Sequence, residues 1–148
     1  MTREYKFRGK SKEHGWVYGD LLQYPNGEVY IMEHSDGQDL SYPVDPDTVG
    51  QFTGLEATGD RDCSEVEYWG IPIYEGDIIA NCGGGNKRLV IFNHEEAKFV
   101  GLAELDYNNE PQKHWEACAC AIPQSWLTRF CYKVIGNVHD HPELLKGG

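Results

Sequence analysis

Two short stretches carry the residue types best suited to chemistry. "WVYGDLL", from Trp16 to Leu22, and "PIYEGDII", from Pro72 to Ile79, each place an aromatic residue before a glycine–aspartate pair and aliphatic residues after it. Asp20 and Asp77 could make a carboxylate pair, one taking a proton and the other giving one. That work needs a set separation and environments that drive two pKa values apart, and sequence spacing supplies neither. The pattern also has a plainer meaning. Glycine permits a backbone bend that other residues resist, and the adjoining aspartate accepts hydrogen bonds from nearby amides. Both stretches are read as bends that lead into β-strands, with no catalytic step assigned to either aspartate.

The other constellations are weaker. Cys118 and Cys120 form a C-x-C pair, with His114 four residues before the first and Cys131 further on. Tetrahedral zinc sites usually join two ligand pairs, with two or more residues between paired cysteines, so no metal is assigned here. His139 and His141 bracket Asp140 and could share one face of an extended segment, but no further ligands are identifiable, and they are read as surface histidines. Gly83, Gly84 and Gly85 precede Lys87 and Arg88, which would suit an anion. A phosphate loop needs wider spacing, a Lys followed by Ser or Thr, and a helix behind it. Here the chain enters "RLVIF" instead, and the glycines are read as a hairpin loop. With no Ser–His–Asp or Cys–His arrangement either, the sequence predicts no enzyme: catalytic, cofactor-binding and metal residues are all expected to be none, and no cofactor is expected.

The 148 residues fit one domain. No apolar run approaches the roughly 18 to 20 residues that cross a membrane, and the charged start "MTREYKFRGK" lacks a secretory apolar region. A cytoplasmic protein without a membrane partner is expected. The five cysteines, Cys63, Cys82, Cys118, Cys120 and Cys131, are an odd number that argues against a disulfide framework. A net charge of −11, from 24 acidic and 13 basic residues, opposes the phosphate backbone of nucleic acids. The basic residues that exist cluster early, at Arg3, Lys6, Arg8, Lys10 and Lys12. On a strand the last four share one face, expected to be a solvated face that protects a sheet edge. Trp16, Trp69, Trp115 and Trp126, with nine tyrosines, are assigned to core or interface before nucleobase stacking.

Strand signals run along most of the chain. "EYKFRGK" alternates, turning Tyr5, Phe7 and Gly9 inward. "WVYGDLLQY" and "EVYIMEH" flank Pro25, Asn26 and Gly27, which predicts a β-hairpin, and "HSDGQ" predicts a second turn. Pro43 and Pro46 are expected to interrupt strand pairing, and Asp45 to cap one short helical turn that starts at Pro46. Residues 56 to 70 read as an acidic loop. "IPIYEGDIIA", "KRLVIFNH", "KFVGLAEL" and "RFCYKVIGNV" read as strands, a short helix is expected near His114 to Cys120, and "HPELLK" as a final helical turn. Short strands with glycine-bearing turns predict a mainly β barrel, roll or sandwich. One domain over 1–148 is expected, with an N-terminal β lobe over 1–55 and a barrel-like core over 71–145.

Four stretches together resemble the YopX family of phage and prophage proteins: "REYKFRGK" with "GWVYGDLL", "VDPDTVGQFTGL" at 44 to 55, "IYEGDII" at 73 to 79, and "VIGNVHDHPELL" at 134 to 145. They occur in the family's order; the segment between Leu55 and Ile73 is longer than the family pattern, and residues 103 to 130 match it poorly. The resemblance implies a small β domain related to Src-homology-3-like barrels, carried by a phage, prophage or conjugative element in a bacterium. It implies no activity and no catalytic residues, but does suggest homo-oligomers. The expected function is that of an accessory protein acting by contacts with itself and with a host or phage protein. The alternative is a nucleic-acid-associated β-barrel, supported by the basic strand and opposed by the net charge.

Overall fold

The computed structural model describes residues 4–58, 69–81, 85, 87–103 and 119–145. The chain divides into two compact units, 1–54 and 55–148.

In the first unit, β1 (Phe7–Ser11), β2 (Gly15–Gln23), β3 (Val29–Ser35) and β4 (Gln38–Val44) form successive antiparallel hairpins. β5 (Gly50–Thr58) then returns to pair with β1, giving the order β4-β3-β2-β1-β5. The predicted hairpin forms over residues 24–28, where the Tyr24 N–H donates to the Glu28 carbonyl at 3.0 Å and the Asn26 side chain accepts the Glu28 N–H. "HSDGQ" also turns as expected. Asp36 (φ 47°) and Gly37 (φ 76°) both take left-handed conformations, the combination that lets a two-residue loop match the strands' twist.

Side chains alternate across this sheet. Val17, Ile31 and Val44 are buried on one face, with Phe7, Leu21, Val29, Tyr42 and Val49 packed around them. Gly9 faces Val44 so closely that a Cβ would come within 2.7 Å of it. The predicted capped turn is a 3-10 helix over Pro46–Thr48, with the Asp45 carboxylate accepting the Asp47 N–H. Its position has a second effect. The Thr48 hydroxyl accepts the Lys10 N–H at 2.8 Å, and the Lys10 carbonyl accepts the Asp45 N–H at 3.0 Å. The turn thus satisfies β1 where β5 does not reach.

Three expectations are corrected here. β1 is not an edge, since it lies between β2 and β5, and Arg8 is buried at 5 % exposure with its guanidinium 4.8 Å from the Trp16 ring centroid. A cation over an indole face is stabilised by about 0.5–2 kcal/mol, so Arg8 leaves the solvated basic stripe. Tyr5, expected inside, is 62 % exposed. Pro43 does not interrupt pairing but sits opposite Tyr30 within β4. An outermost strand tolerates proline wherever its missing N–H would point away from the ladder.

The second unit holds β6 (Trp69–Tyr74), β7 (Asp77–Ala80), β8 (Arg88–Asn93), β9 (Lys98–Ala103), β10 (Ala119–Ala121), helix α1 (Gln124–Arg129), β11 (Lys133–Asn137) and a 3-10 turn at Pro142–Leu145. Five of its strands form a sheet in the order β10-β9-β8-β7-β11, while β6 neighbours β5, Gly70 lying near Glu56. All four residues of β7 are buried, because both faces of the sheet are covered. On one face Ile73, Ile79, Val90 and Ile122 meet Leu127 of α1 and Tyr132. On the other, Ile78, Leu89 and Leu102 meet Ile135, Val138 and Leu144.

These sheets correct the barrel. Among the described residues both strand orders are open, so the fold is mainly β with two antiparallel sheets and one short helix. Covering by α1 and the 3-10 turn replaces the burial that closure would have supplied. Helix α1 fills a stretch that carries no predicted element before Arg129; Arg129 and Phe130 lie in sequence predicted as strand, and β character resumes only at Lys133. β5 runs to Thr58 and β6 starts at Trp69, at either end of the expected loop. Residues 59–68, the helix expected near His114 and most of "CGGGN" lie outside the described residues, although Cys120 belongs to β10.

The two opening stretches are not equivalent. Gly76 lies in the turn between β6 and β7 with φ 94°, its N–H bonded to the Val90 carbonyl and its carbonyl to the Val138 N–H. Gly19 lies inside β2, where pairing passes from β1 to β3, and a Cβ there would meet the Met32 carbonyl oxygen at 2.0 Å. Gly19→Ala and Gly76→Val are each expected to lower stability by roughly 1–3 kcal/mol, measured by urea unfolding. An unchanged midpoint for Gly76→Val would contradict the turn account.

Candidate interaction surface

Asp20 and Asp77 fall in different units, and each has partners of its own. Asp77 is 2 % exposed, and its carboxylate accepts the Tyr74 N–H at 2.8 Å, which closes the β6–β7 turn. Asp20 projects from β2 beside His34 of β3. The His34 ring lies between two carboxylates, with Nε2 at 2.6 Å from Asp20 Oδ2 and Nδ1 at 2.6 Å from Asp39 Oδ1. The register explains the cluster. Asp39 sits opposite His34 across the β3–β4 pair, and Asp20 sits opposite Met32, two residues along on the same face.

Both contacts are hydrogen bonds only if the ring donates from both nitrogens, as imidazolium does. The bonds to Asp39 and Asp20, in that order, raise the His34 pKa above its ordinary value. The same arrangement disfavours acid–base or metal work, since neither ring nitrogen keeps a free lone pair. Among the described residues no His, Cys, Asp or Glu cluster fits a metal ion.

The remaining predicted residues have local roles. Asn137 Oδ1 accepts the N–H groups of His139 and Asp140, and His141 Nδ1 packs where a Gly136 Cβ would stand. Lys87 donates to the Leu144 carbonyl, and Arg88 to the Lys87 carbonyl. Trp126 stacks on Tyr132 with centroids 4.5 Å apart, at the margin of the core. Cys131 is a free, half-buried thiol. His114, Trp115 and Cys118 lie outside the described residues, as do the side chains of Trp69 and Cys120.

A surface of another kind is left: the outer edge of β4. Hydrogen-bond phase can be followed strand by strand. A two-residue loop makes Ser35 and Gln38 a bonded pair, so Glu33–Leu40, Ile31–Tyr42 and Val29–Val44 are bonded pairs as well. The even residues of β3 then bond β2, in line with the Tyr24–Glu28 bond beyond their shared end. The backbone groups of Asp39, Ser41 and Pro43 therefore point away from the sheet. β4 is exposed except at Tyr42 and Val44, and Leu40 is 46 % exposed. Across a cleft of about 690 Å³, β4 faces Ser11, Lys12 and His14 at the β1–β2 turn, with Ser41, Tyr42 and Pro43 on the β4 side. The His14 and Tyr42 rings are in edge contact, and beyond Pro43 the Asp45 N–H donates to the Lys10 carbonyl.

A family model described as YopX protein matches residues 6–146. The chain belongs to the YopX family. No curated protein matches it. In this YopX protein the stretches that carry the resemblance mostly serve the backbone. "VDPDT" supplies the cap and the Lys10 partner, "YEGD" the β6–β7 turn, and "IGN" with "PELL" the close packing of β11 under Leu144. Neither His34 nor the β4 edge was singled out in the sequence. The register of two consecutive hairpins would have placed His34 beside Asp39, but only the complete strand order shows which strand is outermost.

Because its folded pKa is raised, His34 stabilises the hairpins below its unfolded pKa of about 6.5, and that contribution is lost as pH rises through the folded value. Proton NMR is expected to place the His34 midpoint above the ordinary histidine value. His34→Gln is expected to remove the matching pH dependence of stability. An ordinary His34 midpoint would contradict the bridging geometry.

Proposed function

We propose that this YopX protein is a non-enzymatic accessory protein of a phage, prophage or other mobile element, acting in the bacterial cytoplasm through protein contacts and as a homo-oligomer. The observation that carries the proposal is the outer edge of β4 from Gln38 to Ser41, where every residue is exposed, Leu40 included. Native sheets usually blunt such edges, and β4 has one proline and one histidine-held aspartate for that purpose. Tyr5, Tyr18 and Tyr24 add exposed aromatic surface in the same unit, the residue class that commonly anchors protein interfaces.

The family's Src-homology-3-like character belongs to this proposal as a relationship of ancestry. A nucleic-acid partner is disfavoured, since the net charge is −11 and Arg8 is withdrawn from the basic stripe. Light scattering at micromolar concentration is expected to give a mass above one chain. A strict monomer, or nucleic-acid binding that weakens with added salt, would replace the proposal.

A further inference from the structure

We propose that Asn26, at the tip of the β2–β3 hairpin, is a site of self-modification: the backbone nitrogen of Gly27 attacks its carboxamide, and the residue becomes aspartate or isoaspartate. This goes beyond the proposed function and does not depend on it.

The chemistry is that of asparagine followed by glycine. Hydroxide removes the Gly27 amide proton, the nitrogen forms a bond to Asn26 Cγ, and the Cγ–Nδ2 bond breaks as ammonia departs. The succinimide ring that results then takes up water. Opening at Cγ gives aspartate with the chain path unchanged. Opening at the backbone carbonyl gives isoaspartate, in which the chain runs through Cγ and is longer by one methylene. No oxidant or cofactor is consumed. A side chain on the following residue hinders ring closure, and glycine has none. Asn26 is the one asparagine of this sequence that precedes glycine.

The structure makes this site accessible. Every residue from Gln23 to Glu28 is exposed, and a Cβ on Gly27 would meet no atom within 4 Å, so the turn has room for the ring and for water. Asn26 Oδ1 accepts the Glu28 N–H at 3.0 Å, which draws electron density from Cγ, the atom under attack. One bond opposes the reaction: the Gly27 N–H donates to the Tyr24 carbonyl at 3.0 Å. It has to open before the nitrogen can reach Cγ. A loop tip opens at a small fraction of the free energy of global unfolding, so the fold slows the reaction without preventing it.

Asn93 and Asn137 are held differently. Asn93 is 6 % exposed, and its Oδ1 accepts the N–H groups of Glu95 and Glu96. Asn137 is 9 % exposed, and the nitrogen that would attack it, that of Val138, is bonded to the Gly76 carbonyl. Both are followed by residues with side chains, His94 and Val138.

The two products affect the hairpin differently. Aspartate keeps an oxygen for the Glu28 N–H, so the turn persists with one negative charge added beside Glu28. Isoaspartate lengthens the chain between Tyr24 and Glu28. The bonds that close the turn, from the Gly27 N–H to the Tyr24 carbonyl and from the Tyr24 N–H to the Glu28 carbonyl, then lose their register beside the Gln23–Val29 pair.

The test incubates the whole folded chain at mildly alkaline pH and follows it by digestion and peptide mass spectrometry. The peptide containing Asn26 is expected to convert roughly tenfold or more faster than those containing Asn93 or Asn137, the difference between opening a loop tip and freeing a buried side chain. Two products of equal mass are expected, separable by chromatography, with ammonia released in step. Asn26→Gln, whose ring closure needs an extra atom, is expected to abolish both while the circular dichroism spectrum stays unchanged; should that variant fail to fold, the wild-type kinetics decide. The isolated isoaspartate form is expected to unfold at lower denaturant than the aspartate form, and equal midpoints would overturn the effect on the turn. An Asn26 peptide that stays intact in the folded chain over the time in which the guanidinium-unfolded chain converts it would overturn the site. Conversion to aspartate alone would overturn the succinimide route.

Discussion

Backbone N–H and C=O groups removed from water need partners, and in this chain the ends of the strand ladders are where partners have to be found. Lys10 passes beyond the reach of β5, and its N–H and carbonyl are taken up by Thr48 and Asp45. Gly76 bonds Val90 on one side and Val138 on the other, so one turn residue ties β7 between its neighbours. The Gln124 side-chain amide donates to the Glu56 carbonyl and accepts the Glu56 N–H, acting as a short stand-in for a strand. Asn137 closes the turn after β11 in a similar way. Each arrangement uses a small or amide-like residue at the end of a ladder.

That constraint explains why residues with catalytic potential are otherwise engaged. Asp77 is buried because its carboxylate replaces a missing backbone acceptor for Tyr74. Losing such a group would leave a buried donor unsatisfied, at a cost of about 1–3 kcal/mol. Asp20 and Asp39 hold a histidine in place, yet all three side chains are exposed. Solvent screening limits what such a cluster adds to stability, so its effect lies in fixing the geometry of β4. At the end of that strand the constraint is met by β1, whose Lys10 carbonyl accepts the Asp45 N–H.

The sequence made the local turns legible because their chemistry is local. Asn26–Gly27, Asp36–Gly37 and Asp45–Pro46 state their conformations through residue types alone. Position within the sheet is not local. Arg8 looks like a solvated edge residue until β5 arrives on its far side, and Pro43 looks like a breaker until β4 proves outermost. Gly19 and Gly76 share a motif, but one makes room for the Met32 carbonyl and the other turns the chain. Helix α1 has a proline before it and no side-chain cap, so the usual start signal is missing, and Leu127 is held by tertiary burial. The barrel expectation failed for a related reason: alternation predicts strands and faces, but not whether the last strand meets the first.

The central claim is that side chains at the ladder ends complete the backbone bonding that the strands leave open. Amide hydrogen exchange followed by NMR tests it directly. The Lys10 and Tyr74 N–H groups, which donate to the Thr48 hydroxyl and the Asp77 carboxylate, should be protected to the same degree as amides inside the ladders. Rapid exchange of both in the folded protein would contradict the account.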